Sequence, residues 1–193
     1  MSKSRLEAFS DGVMAIVITI LVLNISAPAG DSFRDLQGIE KKLFVYLFSF
    51  TVVAVYWNNH HHLFQIVKRV NGKILWANNF FLFSLTLFPF ATSWISEHLF
   101  SLFPQLLCGV VILLADIAFF VLIITINKVT SKDNNFNLKR HKKTLFSIFL
   151  NIIAICLGVF IKPILVTVIN IMMILLWIVP SKRIENIFNE DNI

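Results

Sequence analysis

Arg5-Leu6-Glu7-Ala8-Phe9-Ser10-Asp11-Gly12 stands near the N-terminus, and Val13-Met14-Ala15-Ile16-Val17-Ile18-Thr19-Ile20-Leu21-Val22-Leu23 follows it without a charge. A bilayer core of about 30 Å takes roughly 20 helical residues, so the apolar run over 8–26 predicts a membrane-crossing helix. Working outward, five more stretches have a similar character, at approximately 43–67, 74–95, 104–127, 144–161 and 163–180. The expected fold is an all-α membrane protein with six transmembrane helices. The last two stretches meet at Lys162-Pro163, a tight turn, because proline cannot continue the preceding helix. The segment 27–42 carries Pro28, Gly30, Gly38 and mixed charges, which leaves room for a short helix. No internal repeat is evident, and one membrane domain is expected over 1–193.

Composition points the same way. Of 193 residues 57% are hydrophobic and only 15% charged, and mean hydropathy is +0.78. That is too little charge to cover a soluble domain of this length in water. The 20 Phe residues suit a surface solvated by the lipid bilayer. A net charge of +6 would fit a nucleic-acid partner only if the basic residues formed a face or tail, and they lie between apolar runs instead. No nucleic acid is expected. Cys108 and Cys156 fall in separate apolar segments, which argues against a disulfide framework or a zinc site.

Basic residues set the orientation. With the N-terminus inside, Lys3, Arg5, Lys68, Arg69, Lys73, Lys128, Lys132, Lys139, Arg140, Lys142, Lys143, Lys182 and Arg183 are cytoplasmic, thirteen of the seventeen. Only Arg34, Lys41, Lys42 and Lys162 fall outside. The expected topology has both termini in the cytoplasm. Lys3, Arg5 and Ala27-Pro28-Ala29 loosely imitate a cleaved signal peptide, but Glu7 and Asp11 break that pattern, so the first helix is expected to stay.

Polar residues within these spans need a partner or a role. Asp11 lies six residues past Arg5, His60 eight before Lys68, and Asn78 five past Lys73. At about 1.5 Å per residue, all three sit about 8–12 Å from their cytoplasmic ends, and Ser10 joins them. Such a layer can pin helices one, two and three together; its functional alternative is a proton relay through Asp11 and His60 in a proton-coupled carrier. His60-His61-His62 does not make a metal site, because successive helical residues point about 100° apart. Asp116 stands alone in the fourth span, with no Ser–His or Asp–Asp pair in view. No H-E-x-x-H, G-x-S-x-G or P-loop pattern occurs, so no enzyme is expected.

Within the first helix Ile16, Ile20 and Leu23 are spaced i, i+4, i+7 and share one face, which Gly12 extends. At about 100° per residue, Asp11 and Ser10 lie about 140° and 120° from Ile16, and Thr19 about 60°. A stripe of this kind more often packs against protein or faces lipid than lines a pore.

The string R-x-x-x-F-S-D, here Arg5, Phe9, Ser10 and Asp11, followed by Gly12, Ile16 and Thr19, resembles the signature of the transmembrane protein 175 family of potassium channels, known from bacteria and animal lysosomes. In the second helix Trp57, His60, Leu63 and Phe64 match a W-x-x-H-x-x-L-F pattern. In the third, Asn78 and Pro89 keep the family's spacing of eleven residues. Helices four to six agree only in number and hydropathy.

The resemblance implies a potassium-permeable channel in which four six-helix chains, a homotetramer, surround a central pore lined by the first helix. Carried to matching positions, it makes Ile16, Ile20 and Leu23 the apolar constriction, with Ile16 narrowest and Gly12 and Thr19 beside the pore. Arg5, Phe9, Ser10 and Asp11 become a structural motif, and Trp57, His60 and Asn78 an interhelical network. No cofactor is implied, only permeant K+. The T-V-G-Y-G carbonyl filter of ordinary potassium channels is missing from the chain. Selectivity would then rest on dehydration, which costs sodium more than potassium, and would be modest. The expected location is a cell membrane, that of a bacterium.

Overall fold

The computed structural model describes residues 2–130 and 135–178. Lys132, Lys182, Arg183 and the last two residues of the 163–180 span lie outside them. The described residues are helical: α1 (Lys3–Leu23), α2 (Phe33–Gln37), α3 (Glu40–Gln65), α4 (Gly72–Thr86), α5 (Phe88–Glu97), α6 (Leu102–Thr130), α7 (Asn135–Phe160) and α8 (Leu165–Ile178). Among the described residues four segments are long and apolar enough to cross a membrane: Lys3–Leu23, Gly72–Glu97, Leu102–Val129 and Lys142–Phe160. The described part of α8 is shorter. In α3, 26 residues long, the polar stretch Asn58-Asn59-His60-His61-His62 lowers the hydropathy.

Local chemistry explains the boundaries. α1 begins five residues earlier than the apolar run, at Lys3, where an i,i+4 pair of Lys3 and Glu7 (3.8 Å) adds modest support. It ends at Leu23 because the Asn24 side chain turns away to donate to the Pro89 carbonyl oxygen at 3.1 Å. The loop after it holds the short α2, capped by Ser32 and Asp35, whose side chains each satisfy a backbone N–H at its start. The Ser32 hydroxyl and backbone amide hold the Asp35 carboxyl below the usual carboxylate range. Asn71 caps α4, accepting from the Ile74 amide at 2.9 Å. The third span, expected as one helix over 74–95, is interrupted at Leu87 and resumes as α5 with Pro89 in its first turn. The proline ring has no N–H to donate, so the hydrogen-bond ladder restarts there.

α1 packs on α3, α4 and α5; α4 and α7 flank α6, and α8 closes against α7, α6 and α3. The centre is aromatic. Tyr56, Phe81 and Phe119 meet at centroid separations of 5.2 to 6.1 Å, joining α3, α4 and α6. Between α7 and α8 the approach is close enough to require glycine. A Cβ on Gly158 would meet Val166 Cγ2 at 2.5 Å, and one on Gly109 of α6 would meet Val166 Cγ1 at 2.8 Å. Outside this core many large apolar side chains are exposed, among them Phe83, Phe90, Phe103, Phe149 and Phe160. Such a surface is stable in hydrocarbon and costly in water.

Candidate pore helix and polar network

α1 has two faces of different fate. Leu6, Ser10, Met14, Val17 and Leu21 are buried against the bundle. Ile16, Ile20 and Leu23 are 61%, 41% and 73% exposed, and Gly12 and Thr19 lie on the same open side. Thr19 Oγ1 donates back to the Ala15 carbonyl at 2.9 Å, so its hydrogen is used within the helix and its oxygen remains outward. A Cβ on Gly12 would meet nothing within 4 Å. Phe9 and Arg5 are also exposed, nearer the start of the helix.

Behind the open face, three buried polar groups form one chain across α1, α4 and α3. Ser10 donates to the Leu6 carbonyl (2.8 Å) and its oxygen accepts from Asn78 Nδ2 (2.9 Å). Asn78 Oδ1 stands 2.7 Å from His60 Nε2, which donates when that nitrogen carries the hydrogen. His60 is stacked between Phe64 and Phe81, with centroids at 4.4 and 5.7 Å. Each member is nearly fully buried, and each hydrogen bond joins or braces a different helix.

Asp11 is not part of that chain. It is exposed, and its Oδ1 accepts from Trp57 Nε1 at 2.8 Å. The depth argument placed Asp11 and His60 in one layer; the helix rotation separates them, because position 11 turns outward where position 10 turns inward. The structure thus gives the Asp11–His60 relay no direct hydrogen bond. The histidine triplet diverges as helix geometry demands. His60 points into the core, whereas His61 stacks on Trp57 and, like His62, contacts Gln65 at the surface.

Asp116 corrects another expectation. It is not alone: the Tyr56 hydroxyl donates to its Oδ1 at 2.7 Å. Further polar contacts hold the later helices, including Thr167 Oγ1 to Gln105 Oε1 (2.8 Å) and Trp177 Nε1 to Ser147 Oγ (2.6 Å). Partners far apart in sequence carry no local spacing signal. Only their similar depths, twelve residues before Lys68 in the second span and twelve before Lys128 in the fourth, could have suggested the pair of Tyr56 and Asp116.

A bundle of apolar helices with an exposed apolar stripe on its first helix and a polar brace behind it defines a class, the helical membrane proteins. The family model for the endosomal/lysosomal potassium channel TMEM175 matches residues 5–89. A potassium channel of a Chryseobacterium species is 43% identical over 194 residues, covering 99% of this chain and 100% of that one. A potassium channel of Chamaesiphon minutus is 37% identical over 101 residues, about half of each chain (49% and 50%). The endosomal/lysosomal proton channel TMEM175 of Danio rerio is 29% identical over 119 residues, 59% of this chain but 22% of that protein. Among solved structures, the crystal structure of a lysosomal potassium-selective channel TMEM175 homolog from Chamaesiphon minutus superposes with a TM-score of 0.70. It is 28% identical and covers 91% of this chain and 95% of that one. The chain belongs to the TMEM175 family: it is a membrane protein of an ion-channel family, not an enzyme.

Proposed function

We propose that the protein is a potassium-permeable, leak-like channel of modest preference for K+ over Na+, whose selectivity neck is a ring of Ile16 side chains backed by rings of Ile20 and Leu23. The observation that carries this is the exposure of all three on α1 while the opposite face of the same helix is buried. An open stripe on the helix that bears the family's motif suits a pore shared between copies. Relatives named as potassium channels support the ion.

In this reading one chain supplies a single domain of six spans, with both termini cytoplasmic, and four copies surround the pore in a bacterial plasma membrane. The short α8 and the polar α3 then count as spans because each buries one face against the bundle and shows large apolar side chains, Leu47 and Leu175 among them, on the other. Gly12 gives room beside the pore, and Thr19 turns its oxygen toward it. Phe9, Arg5 and the Asp11–Trp57 pair stand on the exposed side, where a neighbouring subunit would pack. Ser10, Asn78 and His60 brace α1 from behind. Apolar rings exclude water when narrow and rewet on slight dilation, so a small rotation of α1 gates the pore. An ion in the neck loses part of its hydration, and sodium loses more free energy than potassium in doing so.

Purified protein in liposomes tests the proposal through potassium and sodium flux under matched gradients. Passive potassium flux exceeding sodium flux is expected. Absence of flux, or saturable flux that runs only with a pH gradient, would remove the channel reading in favour of a scaffold or a carrier.

A further inference from the structure

The bundle holds a carboxyl group that the pore does not use. Asp116, midway along α6, is 5% exposed. Tyr56 donates its only hydroxyl hydrogen to Oδ1, and Oδ2 makes no hydrogen bond. Asp116 and Asn170 of α8 line one cavity of about 30 Å³ together with Tyr56 and Asn59 of α3, whose amide donates to the Val55 carbonyl at 2.8 Å; the other walls are mainly apolar, among them Val52, Ile112, Phe119 and Met173. Asn170, 1% exposed, already donates its Nδ2 to the Val166 carbonyl at 2.8 Å, and its Oδ1 has no partner. The cavity therefore brings together two acceptor oxygens that lack a donor. Asn151 approaches the same carboxyl from α7, yet its amide atoms make no hydrogen bond. Turning that amide to donate to Oδ2 only moves the deficit, since its own oxygen and that of Asn170 still lack a hydrogen.

Charge does not resolve the deficit either. From α3 the Tyr56 hydroxyl faces Asp116, while His60, one turn away, is bound to Asn78 beyond the Phe81 ring. The described part of α8 has no ionisable side chain. On α7, Lys143 lies over the Trp177 ring at 4.4 Å, about 12 Å along the helix from Asn151, with Lys142 beside it. Cys156 on α7 and Cys108 on α6 carry free thiols and bring no cation to the site. Lys73 and Glu97 stand at the outer ends of α4 and α5, and Lys128 is about 18 Å further along α6.

We propose that Asp116 is an exchangeable proton-binding site inside the membrane, in which Oδ2 takes a proton from water and donates it to the Asn170 oxygen, directly or through one water in the cavity. Proton uptake forms one O–H bond and supplies the missing donor, and removes a charge that hydrocarbon disfavours. The cavity exceeds the roughly 10–15 Å³ that one water needs. The inference rests on the membrane location and is independent of which residues line the pore.

Infrared difference spectra of the full chain in phosphatidylcholine vesicles read the site directly. Wild type should show the carbonyl stretch of a protonated carboxyl at neutral pH, shifted downward in D2O. Asp116→Asn should fold and lack that band, because its amide reproduces the neutral acid, accepting from Tyr56 and donating toward Asn170. Tyr56→Phe should keep the band at a displaced frequency, having lost one hydrogen bond to the carbonyl. A band unaffected by Asp116→Asn, or never shifted in D2O, overturns the proposal. So does an Asn variant that fails to fold, since that would make the ionised carboxylate the native form.

Discussion

Replacing Asn78 by alanine removes the middle of the brace that holds α1 to α3 and α4. Two hydrogen bonds are lost, to Ser10 Oγ (2.9 Å) and His60 Nε2 (2.7 Å), in a site with no exposure. Interhelical hydrogen bonds in membrane bundles average about 0.6 kcal/mol, so the pair contributes about 1 kcal/mol. The larger cost is the imidazole of His60, left between Phe64 and Phe81 without its partner. A stranded buried polar group costs about 1–3 kcal/mol. Asn78→Ala should therefore lower the free energy of unfolding by about 2–4 kcal/mol, read from equilibrium unfolding in mixed micelles. Ser10 loses less, since its hydroxyl still donates to Leu6. Asn79→Ala on the same helix is the comparison. Its Oδ1 already lacks a partner, so removing the amide should cost well under half as much. Equal effects at 78 and 79 would refute the brace.

Glycine substitutions separate close packing from open surface. Gly158→Ala places a methyl 2.5 Å from Val166 and should cost about 1–3 kcal/mol, lowering the melting temperature in detergent. Gly12→Ala, which meets nothing within 4 Å, should leave that temperature unchanged or raise it. Reporter fusions after Ser181 and within 96–101 should read inside and outside respectively; the reverse at either site removes the six-span topology.

Hydropathy made the helical membrane class legible because a spanning helix must satisfy its backbone internally and show apolar side chains to lipid. The loop 27–42 was readable down to its short helix through its glycines, proline and charges. The depth count put Ser10, His60 and Asn78 at one level, and the structure joins them. The same count could not choose the partner of Asp11, because depth says nothing about rotation around a helix: Asp11 joins the second span through Trp57 rather than His60. The break at Leu87 was hidden inside a continuous apolar run, where one proline supplied the only signal. Least visible were Tyr56–Asp116 and Gln105–Thr167, whose partners are 60 and 62 residues apart and obey no local period. Rotation also bears on the choice of controls. Val17 follows Ile16 but is 2% exposed, so an amide there would be trapped in the core; threonine, close in shape, is the suitable replacement.

The central claim is that ions pass along the open stripe of α1, and the potassium-to-sodium permeability ratio of Ile16→Asn tests it most directly. Ile16 lies about 16 Å along α1 from Arg5, near mid-membrane, and its exposure lets an amide replace it without disturbing the protomer's core. In the proposed tetramer, four copies of the change would turn a dry ring into a polar one. Water should enter, conductance should rise, and the ratio should fall toward one because sodium had the larger dehydration cost to lose. Val17→Thr, on the buried face, should leave the ratio of its channels where wild type has it. An Ile16→Asn channel that assembles normally yet keeps both conductance and ion preference would contradict the account and move the pore elsewhere.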